Sequence, residues 1–350
     1  RRVIGASSGN NEWKRGECEC VRANACECVR ARGLERRRAR ADQKKAQIAG
    51  MAACDDARVS CIHGRMSTNA STTSTTISTF HPGLFDGSTV AITGGGTGIG
   101  LVTAKRFAEL GANVSICGRR ADVLADAKRA IEEAARAAGF KRDVVVASAD
   151  VKKPDELAAW RDQTLAKFGG LDVLVCNAGA NFLAPAASIS PNGFATVVGT
   201  VLLGTWNTIH AWYPHLSERA PTSKNGASIV MNAATNGYTA SPLMAHSGAG
   251  KAGMINLTQT LAVEWAPSRI RVNSIAPGPV DTEGANARLW SDPEVRARVT
   301  KTVPLARMGT SEDCAGCIVF LCTPAASFIT GTVVTVDGGN FLKPMPALLG

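Results

Sequence analysis

The chain has 350 residues, 45% of them hydrophobic and 19% charged, so it is long enough to bury a sizeable core in one large domain or two. No apolar run approaches the length of a transmembrane helix, and we expect no membrane span. The formal net charge is +10, but residues 1–65 hold 15 Lys and Arg against 8 Asp and Glu, so most of the excess lies there. Residues 66–350 hold 24 against 21, which gives no argument for nucleic-acid binding.

The N-terminal segment differs in character from the rest of the chain. The sequence Cys-Glu-Cys-Val-Arg-Ala occurs twice, at residues 18–23 and 26–31. Such cysteine pairs can hold a metal, but low complexity explains the repeat better, and we expect no metal site. Ser and Thr then dominate residues 67–79. We predict that residues 1–80 form a low-complexity, disordered tail and that residues 81–345 form one folded domain.

From residue 83 onward, short apolar runs alternate with segments of helical spacing. Seven strands are predicted, at residues 89–93, 113–117, 143–148, 173–176, 228–232, 271–275 and 333–336. Helical patterns lie between them and include residues 121–138, 154–168 and 249–265. This alternation predicts an α/β fold in which a single domain carries one doubly wound parallel sheet with right-handed crossovers.

A glycine-rich turn follows the first strand and opens a helix. Because glycine has no Cβ, the backbone of such a turn can approach a pyrophosphate closely. The helix start adds free N–H groups and the positive end of its dipole. Strand, turn and helix together predict the phosphate-binding entry of a dinucleotide fold. The candidate cofactor residues of this turn are Gly94, Thr97, Gly98, Ile99 and Gly100.

The second strand ends at a position that selects between dinucleotides. An NAD-preferring site usually carries an acid there for the ribose 2′-hydroxyl, whereas this chain has Gly118 followed by Arg119 and Arg120. Guanidinium groups match a 2′-phosphate that a carboxylate would repel, so we predict NADPH as the cofactor. The alternative is that the two arginines are only a solvated helix entry. Later strand ends add further candidates, namely Asp150 and Val151 beside the adenine and the turns at Asn177, Ala178, Gly179, Pro277 and Gly278.

These motifs, together with Lys251 on a helix, resemble the short-chain dehydrogenase/reductase family over about residues 83–342. The resemblance implies a single-domain Rossmann fold of seven strands that assembles with copies of itself, and we expect a homotetramer. It also implies that Lys251 holds the nicotinamide ribose hydroxyls and that Thr282 belongs to the cofactor-binding residues.

Three positions depart from the family pattern. Ser247 stands four residues before Lys251, where the family has a catalytic Tyr, while Ala234 and Val201 replace its usual Ser and Asn. Carbonyl reduction produces an alkoxide, and a phenol of pKa about 10 beside an ammonium can protonate it at once. A serine hydroxyl is far less acidic. A carbonyl or alcohol substrate is therefore disfavoured, although Ser247 remains a candidate catalytic residue.

Residues 246–265 and 270–278 are similar to the 2,4-dienoyl-CoA reductases and the peroxisomal trans-2-enoyl-CoA reductases. Hydride addition to a conjugated double bond places negative charge on the thioester oxygen, so the site needs a hydrogen-bond donor to that oxygen. The dienoyl group has a Tyr about fifteen residues before its Lys. That position here is Asn236, and Tyr238 lies two residues beyond. Either side chain is a candidate donor, and Tyr238 joins Lys251 among the catalytic candidates.

The same resemblance points to substrate-binding residues. Asn181 and Phe182 are similar to the enoyl group, and Arg288 lies in a segment, residues 282–304, that would form a lid and meet the phosphates of coenzyme A. The resulting prediction is an NADPH-dependent reductase of 2,4-dienoyl-CoA or trans-2-enoyl-CoA. Two alternatives stay open: a dehydrogenase of hydroxyl or carbonyl substrates, and a non-catalytic NADP(H)-binding protein. The peroxisome, the mitochondrion and the cytoplasm all remain possible compartments.

Overall fold

The computed structural model describes residues 80–223 and 226–342. The predicted tail lies outside the described residues, apart from Phe80. Within the described ranges, no helix is long and apolar enough to cross a membrane. The described residues form an α/β fold, as the alternating pattern predicts, with one sheet and helices on both of its faces.

Seven parallel strands form a single sheet in the order β3-β2-β1-β4-β5-β6-β7. The strands are β1 Thr89–Thr93, β2 Asn113–Gly118, β3 Val144–Ser148, β4 Val173–Cys176, β5 Ala227–Asn232, β6 Ile270–Pro277 and β7 Val333–Val336. All seven predicted strands are therefore confirmed, with boundaries that differ by two residues or fewer.

Nine α-helices connect or flank these strands in the described part of the chain. They are α1 Gly98–Glu109, α2 Ala121–Ala137, α3 Pro154–Phe168, α4 Pro191–Val198, α5 Gly204–Arg219, α6 Ala245–Trp265, α7 Glu283–Arg288, α8 Pro293–Lys301 and α9 Ser311–Cys322. A π-helical turn, Gly199–Leu203, joins α4 to α5. Short 3₁₀ turns lie at Ala186–Ser188, Thr235–Gly237, Ala266–Ser268, Pro324–Ala326 and Asn340–Leu342.

Each face of the sheet packs against its own helices. On β1, Val90 and Ile92 belong to a core with the apolar sides of α1, α2 and α9, whereas Ala91 between them belongs to a core with α3, α5 and α6. Successive side chains of a strand point to opposite faces, so a strand covered on both faces is apolar at every position. This arrangement explains why the strands read as continuous apolar runs in the sequence.

The strand order reverses beside β1. From β1 the chain runs outward through β2 and β3, then returns to add β4 on the other side of β1. The loops that follow β1 and β4 therefore diverge and leave a crevice at the carboxyl ends of these strands, where open α/β sheets bind their ligands. The candidate site residues predicted from the sequence follow these strand ends and their neighbours.

Candidate active site

The glycine-rich turn is held in a conformation that requires glycine. Gly98 begins α1 with φ +53°, in the left-handed region that side chains disfavour. A Cβ on Gly100 would lie 2.2 Å from the carbonyl oxygen of Gly94 and 2.5 Å from Nδ2 of Asn177, so no larger residue fits. The N-cap residue Thr97 makes no side-chain capping bond, which leaves the first N–H groups of α1 available to an anion.

Thr93 and Asn177 tie the ends of β1 and β4 together. The Thr93 hydroxyl accepts the backbone N–H groups of Asn177 and Ala178, each at 3.0 Å. In return, Nδ2 of Asn177 donates to the carbonyl oxygens of Thr93 and Gly94 at 3.1 and 3.2 Å. The two turns that flank the crevice are thus one rigid unit. The sequence predicts Asn177 as part of a turn that binds the cofactor, but it does not predict that the Asn177 side chain joins the ends of β1 and β4.

A first cavity of about 490 Å³ extends from the glycine-rich turn along the carboxyl ends of β2 and β3. It brings together twelve of the predicted cofactor residues, namely Gly94, Thr97, Gly98, Ile99, Arg119, Arg120, Asp150, Val151, Asn177, Ala178, Gly179 and Thr282. Gly100 lies outside its lining and acts through the packing of the turn. Thr200 and Glu283 also line this cavity, and neither was predicted from the sequence.

Two positive charges lie at one end of this first cavity. The side chains of Arg119 and Arg120 are exposed, and neither forms an ion pair within the described residues. Asp150, on the same wall, accepts the backbone N–H of Lys152 at 3.0 Å and has the Lys152 ammonium 3.8 Å away. Its charge is therefore partly balanced. This end of the cavity can hold a phosphate through the guanidinium groups.

A second cavity, of about 380 Å³, adjoins the first. Five residues line both cavities, namely Asn177, Gly179, Asn232, Gly284 and Arg288, and they define the junction between them. The predicted residues Lys251, Ser247, Asn181, Pro277 and Gly278 line the second cavity, together with Asn236, Met244 and Trp290. Among the described residues, no Asp, Glu or Tyr lines this cavity, and the charged residues that line it are Lys251 and Arg288.

Lys251 projects from α6 into the second cavity. Its ammonium donates to the backbone carbonyl oxygen of Asn232, the last residue of β5. Removal from water lowers the pKa of Lys251 to about 8, because burial disfavours the charged form and no carboxylate of the described residues lines this cavity. The amine still carries protons that it can donate to a ligand hydroxyl at neutral pH.

Ser247 forms a polar pair with Asn236 in the same cavity. Nδ2 of Asn236 donates to the Ser247 hydroxyl oxygen at 3.3 Å, and Oδ1 of Asn236 is buried without a hydrogen-bond partner in the described part of the chain. The hydroxyl hydrogen of Ser247 has no acceptor among the described side chains, so it can donate to a ligand. Ser247 is buried, and its backbone N–H donates to Nδ1 of His246 at 2.9 Å.

Tyr238 is not brought together with Lys251. Its hydroxyl is hydrogen-bonded to the Thr335 hydroxyl at 2.7 Å, its ring packs edge-on against Phe341, and neither cavity is lined by it. Partial burial raises the pKa of this phenol, which makes it a weaker acid. Of the two loop candidates, Asn236 is the one whose side chain reaches the second cavity.

The predicted substrate residues occupy different places. Asn181 lines the second cavity, and its Oδ1 accepts the backbone N–H of Phe182 at 2.9 Å. Phe182 lies outside the lining and packs edge-on against the fully buried His246, with ring centroids 4.1 Å apart. Phe182 therefore packs against the first turn of α6 and is not part of the cavity wall.

The segment predicted as a lid contains two short helices, α7 and α8. Thr282 caps α7 by accepting the backbone N–H of Ala285 at 3.1 Å, and Arg288 at the end of α7 lines both cavities without an ion pair in the described chain. On α8, by contrast, Arg296 is paired with Asp281 and Arg298 lies 3.8 Å from Glu294. Arg288 is thus the arginine of this segment placed to meet an anionic ligand.

Comparisons with known proteins agree with this geometry. Residues 94–340 match the family described as enoyl-(acyl carrier protein) reductase. The chain is 38% identical over 258 residues to a Bacillus subtilis protein named probable 2,4-dienoyl-CoA reductase, which covers 73% of this chain and 98% of that protein. It is 37% identical over 270 residues to the peroxisomal 2,4-dienoyl-CoA reductase of Arabidopsis thaliana, covering 76% of this chain and 88% of that one.

Solved structures show the same fold. The 3-ketoacyl-(acyl-carrier-protein) reductase of Brucella melitensis, crystallised with NADH, superposes with a TM-score of 0.66 at 30% identity over 73% of this chain and 99% of its own. Fold, glycine-rich turn, Lys251 on α6 and the family match therefore lead to one conclusion. The chain belongs to the short-chain dehydrogenase/reductase family and is an oxidoreductase.

Proposed function

We propose that this protein reduces a carbon–carbon double bond of an unsaturated fatty acyl-CoA with NADPH, and that 2,4-dienoyl-CoA is its substrate class. Relatives from Bacillus subtilis and Arabidopsis thaliana that carry this name align with most of the chain at 38% and 37% identity. The function deepens the family assignment, since it names the bond that is reduced and the molecule that carries it.

One observation carries the proposal: the described residues that line the second cavity supply neutral hydrogen-bond donors, one ammonium and one guanidinium, but no phenol or carboxylate. Such a wall can stabilise negative charge on a thioester oxygen, because the Ser247 hydroxyl has an unused hydrogen and the Asn236 amide fixes this hydroxyl by donating to its oxygen. The same wall offers no phenol to protonate an alkoxide directly. It therefore favours reduction of a conjugated double bond over reduction of a ketone.

The first cavity fits a dinucleotide with a 2′-phosphate. Its glycine-rich turn admits no Cβ at Gly100, its helix start has no side-chain cap, and the guanidinium groups of Arg119 and Arg120 line it without an ion pair in the described part of the chain. Residue 118 is Gly, so this position has no acid to bind a ribose 2′-hydroxyl. These features support NADPH over NADH.

The roles of the protein groups follow from their contacts. When bound, the reduced nicotinamide would supply the hydride. Lys251 keeps protons beyond the one it gives to the Asn232 carbonyl, and these can hold ribose hydroxyls. Ser247 donates to the thioester oxygen and stabilises the charge that develops there, while Asn236 holds the Ser247 hydroxyl in place through its amide nitrogen. No carboxyl or phenol group among the described residues lines the second cavity, and we assign the final proton on carbon to water.

The coenzyme A portion is held by the segment between β6 and α8. Arg288 lines both cavities and has no carboxylate partner in the described chain, so it is available to a phosphate of coenzyme A. Asn181 contributes an amide to the second cavity, and its neighbour Phe182 keeps His246 and the start of α6 in place.

We further propose that the protein works as a homotetramer. Several large apolar side chains are exposed on the single chain, including Leu203 (56% exposed), Trp206 (41%) and Val263 (80%) near or on α5 and α6. Exposed apolar side chains of this size are typical of surfaces that pack against another subunit. Light scattering coupled to gel filtration measures the oligomer directly, and a monomer at micromolar concentration would contradict the proposal.

The function is tested by following NADPH oxidation with the full 350-residue protein. A 2,4-dienoyl-CoA, a trans-2-enoyl-CoA and a simple ketone are offered in parallel, with NADH as the second cofactor. We expect oxidation of NADPH with the dienoyl thioester and none with the ketone. Turnover of the ketone alone would establish a carbonyl reductase instead, and NADPH binding without any turnover would establish a non-catalytic binding protein.

A further inference from the structure

A buried oxygen without a partner lies at the junction of the two cavities. Asn232 ends β5, is 9% exposed and lines both cavities. Its Oδ1 atom has no hydrogen-bond partner among the described residues. Buried amide oxygens in folded proteins are nearly always hydrogen-bonded, so an unsatisfied one beside a cavity points to a donor that arrives with a ligand.

The orientation of this amide follows from the network around it. Nδ2 of Asn177 donates to the carbonyl oxygens of Thr93 and Gly94, so Oδ1 of Asn177 is the atom that faces Asn232. An oxygen can only accept, and therefore the Asn232 atom 2.9 Å away must be its Nδ2. The other end of the Asn232 amide is therefore Oδ1. The hydrogen bonds of Asn177 fix which atom of the Asn232 amide is nitrogen and which is oxygen.

Lys251 leaves this oxygen unused. Its ammonium donates to the backbone carbonyl of Asn232 and makes no hydrogen bond to the side chain of the same residue. Asn232 thus carries an unused acceptor and Lys251 a donor, and both residues line the second cavity. A ligand group that both accepts and donates would match this pair, and a hydroxyl is such a group.

The position along the crevice identifies which hydroxyl. The first cavity runs from Arg119 and Arg120 to the junction, and the second continues from the junction to Ser247. A dinucleotide with its adenosine end at the arginines brings the other ribose to the junction. We propose that Asn232 is a further cofactor-binding residue, whose Oδ1 accepts a hydroxyl of the ribose next to the nicotinamide. This inference rests on the dinucleotide part of the proposed function and not on its acyl-CoA part.

The test compares three ligands by isothermal titration calorimetry on the full chain, without any acyl-CoA. NADPH and NADH both carry the second ribose, whereas adenosine 2′,5′-bisphosphate ends before it. The variant Asn232→Leu keeps the side-chain size and the backbone carbonyl but removes both amide ends. We expect about tenfold weaker binding of NADPH and the same factor for NADH, with the bisphosphate unchanged within twofold.

A second variant and a matched control distinguish the loss of a ligand contact from a general loss of stability. Asn232→Ala tests the same loss without the bulk of leucine, and we expect the same ligand pattern from it. Asn273→Leu replaces a buried asparagine on β6 that lines neither cavity and whose amide is bonded at both ends, by Ile329 and Thr332. It should lower the melting temperature and leave all three affinities unchanged.

Two results would overturn the inference. Equal weakening of the bisphosphate and the dinucleotides by Asn232→Leu and Asn232→Ala would mean that Asn232 only supports the shape of the crevice. Unchanged dinucleotide affinity in both variants would mean that no ligand group uses the oxygen. Neither result affects the acyl-CoA proposal, which is judged by turnover, and a wild-type protein that binds NADPH yet reduces no thioester would leave the role of Asn232 standing.

Discussion

The preference for NADPH depends on Arg119 and Arg120, and replacing each by Ala isolates their effect. Both side chains are exposed, so their attraction to a phosphate is that of charges close to water. Two unit charges about 4 Å apart in water attract by about 1 kcal/mol. A 2′-phosphate carries nearly two charges. Each arginine therefore contributes roughly 1.5–2 kcal/mol, which corresponds to about 10–30-fold in the Kd for NADPH.

Binding is measured by calorimetry with NADPH and NADH at low and high salt. We expect each single variant to weaken NADPH by the factor above and NADH by less than twofold, because a ribose 2′-hydroxyl is uncharged. The difference should shrink at 0.5 M salt, where exposed charges are screened. Arg136→Ala, an exposed arginine in the last turn of α2 that lines neither cavity, serves as the control. Equal losses for NADPH and NADH would refute the reasoning.

Three further predictions concern the turn, the donors and the lysine. Gly100→Ala should abolish dinucleotide binding and lower the free energy of unfolding by about 1–3 kcal/mol, because its Cβ would overlap the Gly94 carbonyl; full cofactor affinity in calorimetry would contradict this. Asn236→Ala should lower kcat for the dienoyl thioester by about 10²-fold, whereas Tyr238→Phe should change it less than twofold; the reverse order would place the donor at the phenol. The pKa of Lys251 is about 8 in the folded protein and about 10.4 unfolded, so the unfolded chain binds more protons between these values and stability rises with pH there. Between pH 8 and pH 10.5, the free energy of unfolding of the wild type, measured with urea, should rise by up to about 3 kcal/mol relative to that of Lys251→Gln. A difference between the two proteins that does not change with pH would show that folding does not lower the pKa of Lys251.

The strands were predictable because both faces of the sheet are buried. Val90, Ala91 and Ile92 pack into two different cores, so each strand appears in the sequence as an uninterrupted apolar run. The start of α6 was harder to predict from the sequence. The predicted helix begins at residue 249, whereas α6 begins at Ala245, since Gly248 and Gly250 have weak helix propensity and hide the first turn.

The first cavity was also largely predictable. Its wall consists of residues that directly follow the strands, and parallel strands bring their carboxyl ends to one edge of the sheet. Twelve predicted residues accordingly meet there. The prediction that these residues and Arg288 bind cofactor and substrate awaits the ligand measurements described above.

The second cavity depended on packing that no local pattern shows. Asn236 and Tyr238 are two residues apart, yet the 3₁₀ turn Thr235–Gly237 directs one side chain to Ser247 and the other to Thr335. Asn232 looks like the end of an ordinary strand. Its unsatisfied oxygen becomes visible only when the partners of Asn177 are known.

By itself, the sequence determined the fold class, the strands and the end of the crevice that carries the arginines, because these follow from local periodicity and from what comes directly after each strand. The tertiary structure alone decided which donors share a cavity with Lys251, which arginine of residues 282–304 stays unpaired and how the Asn232 amide is oriented. Those properties arise from contacts between segments far apart in the chain, and local sequence patterns do not show which distant segments will be in contact.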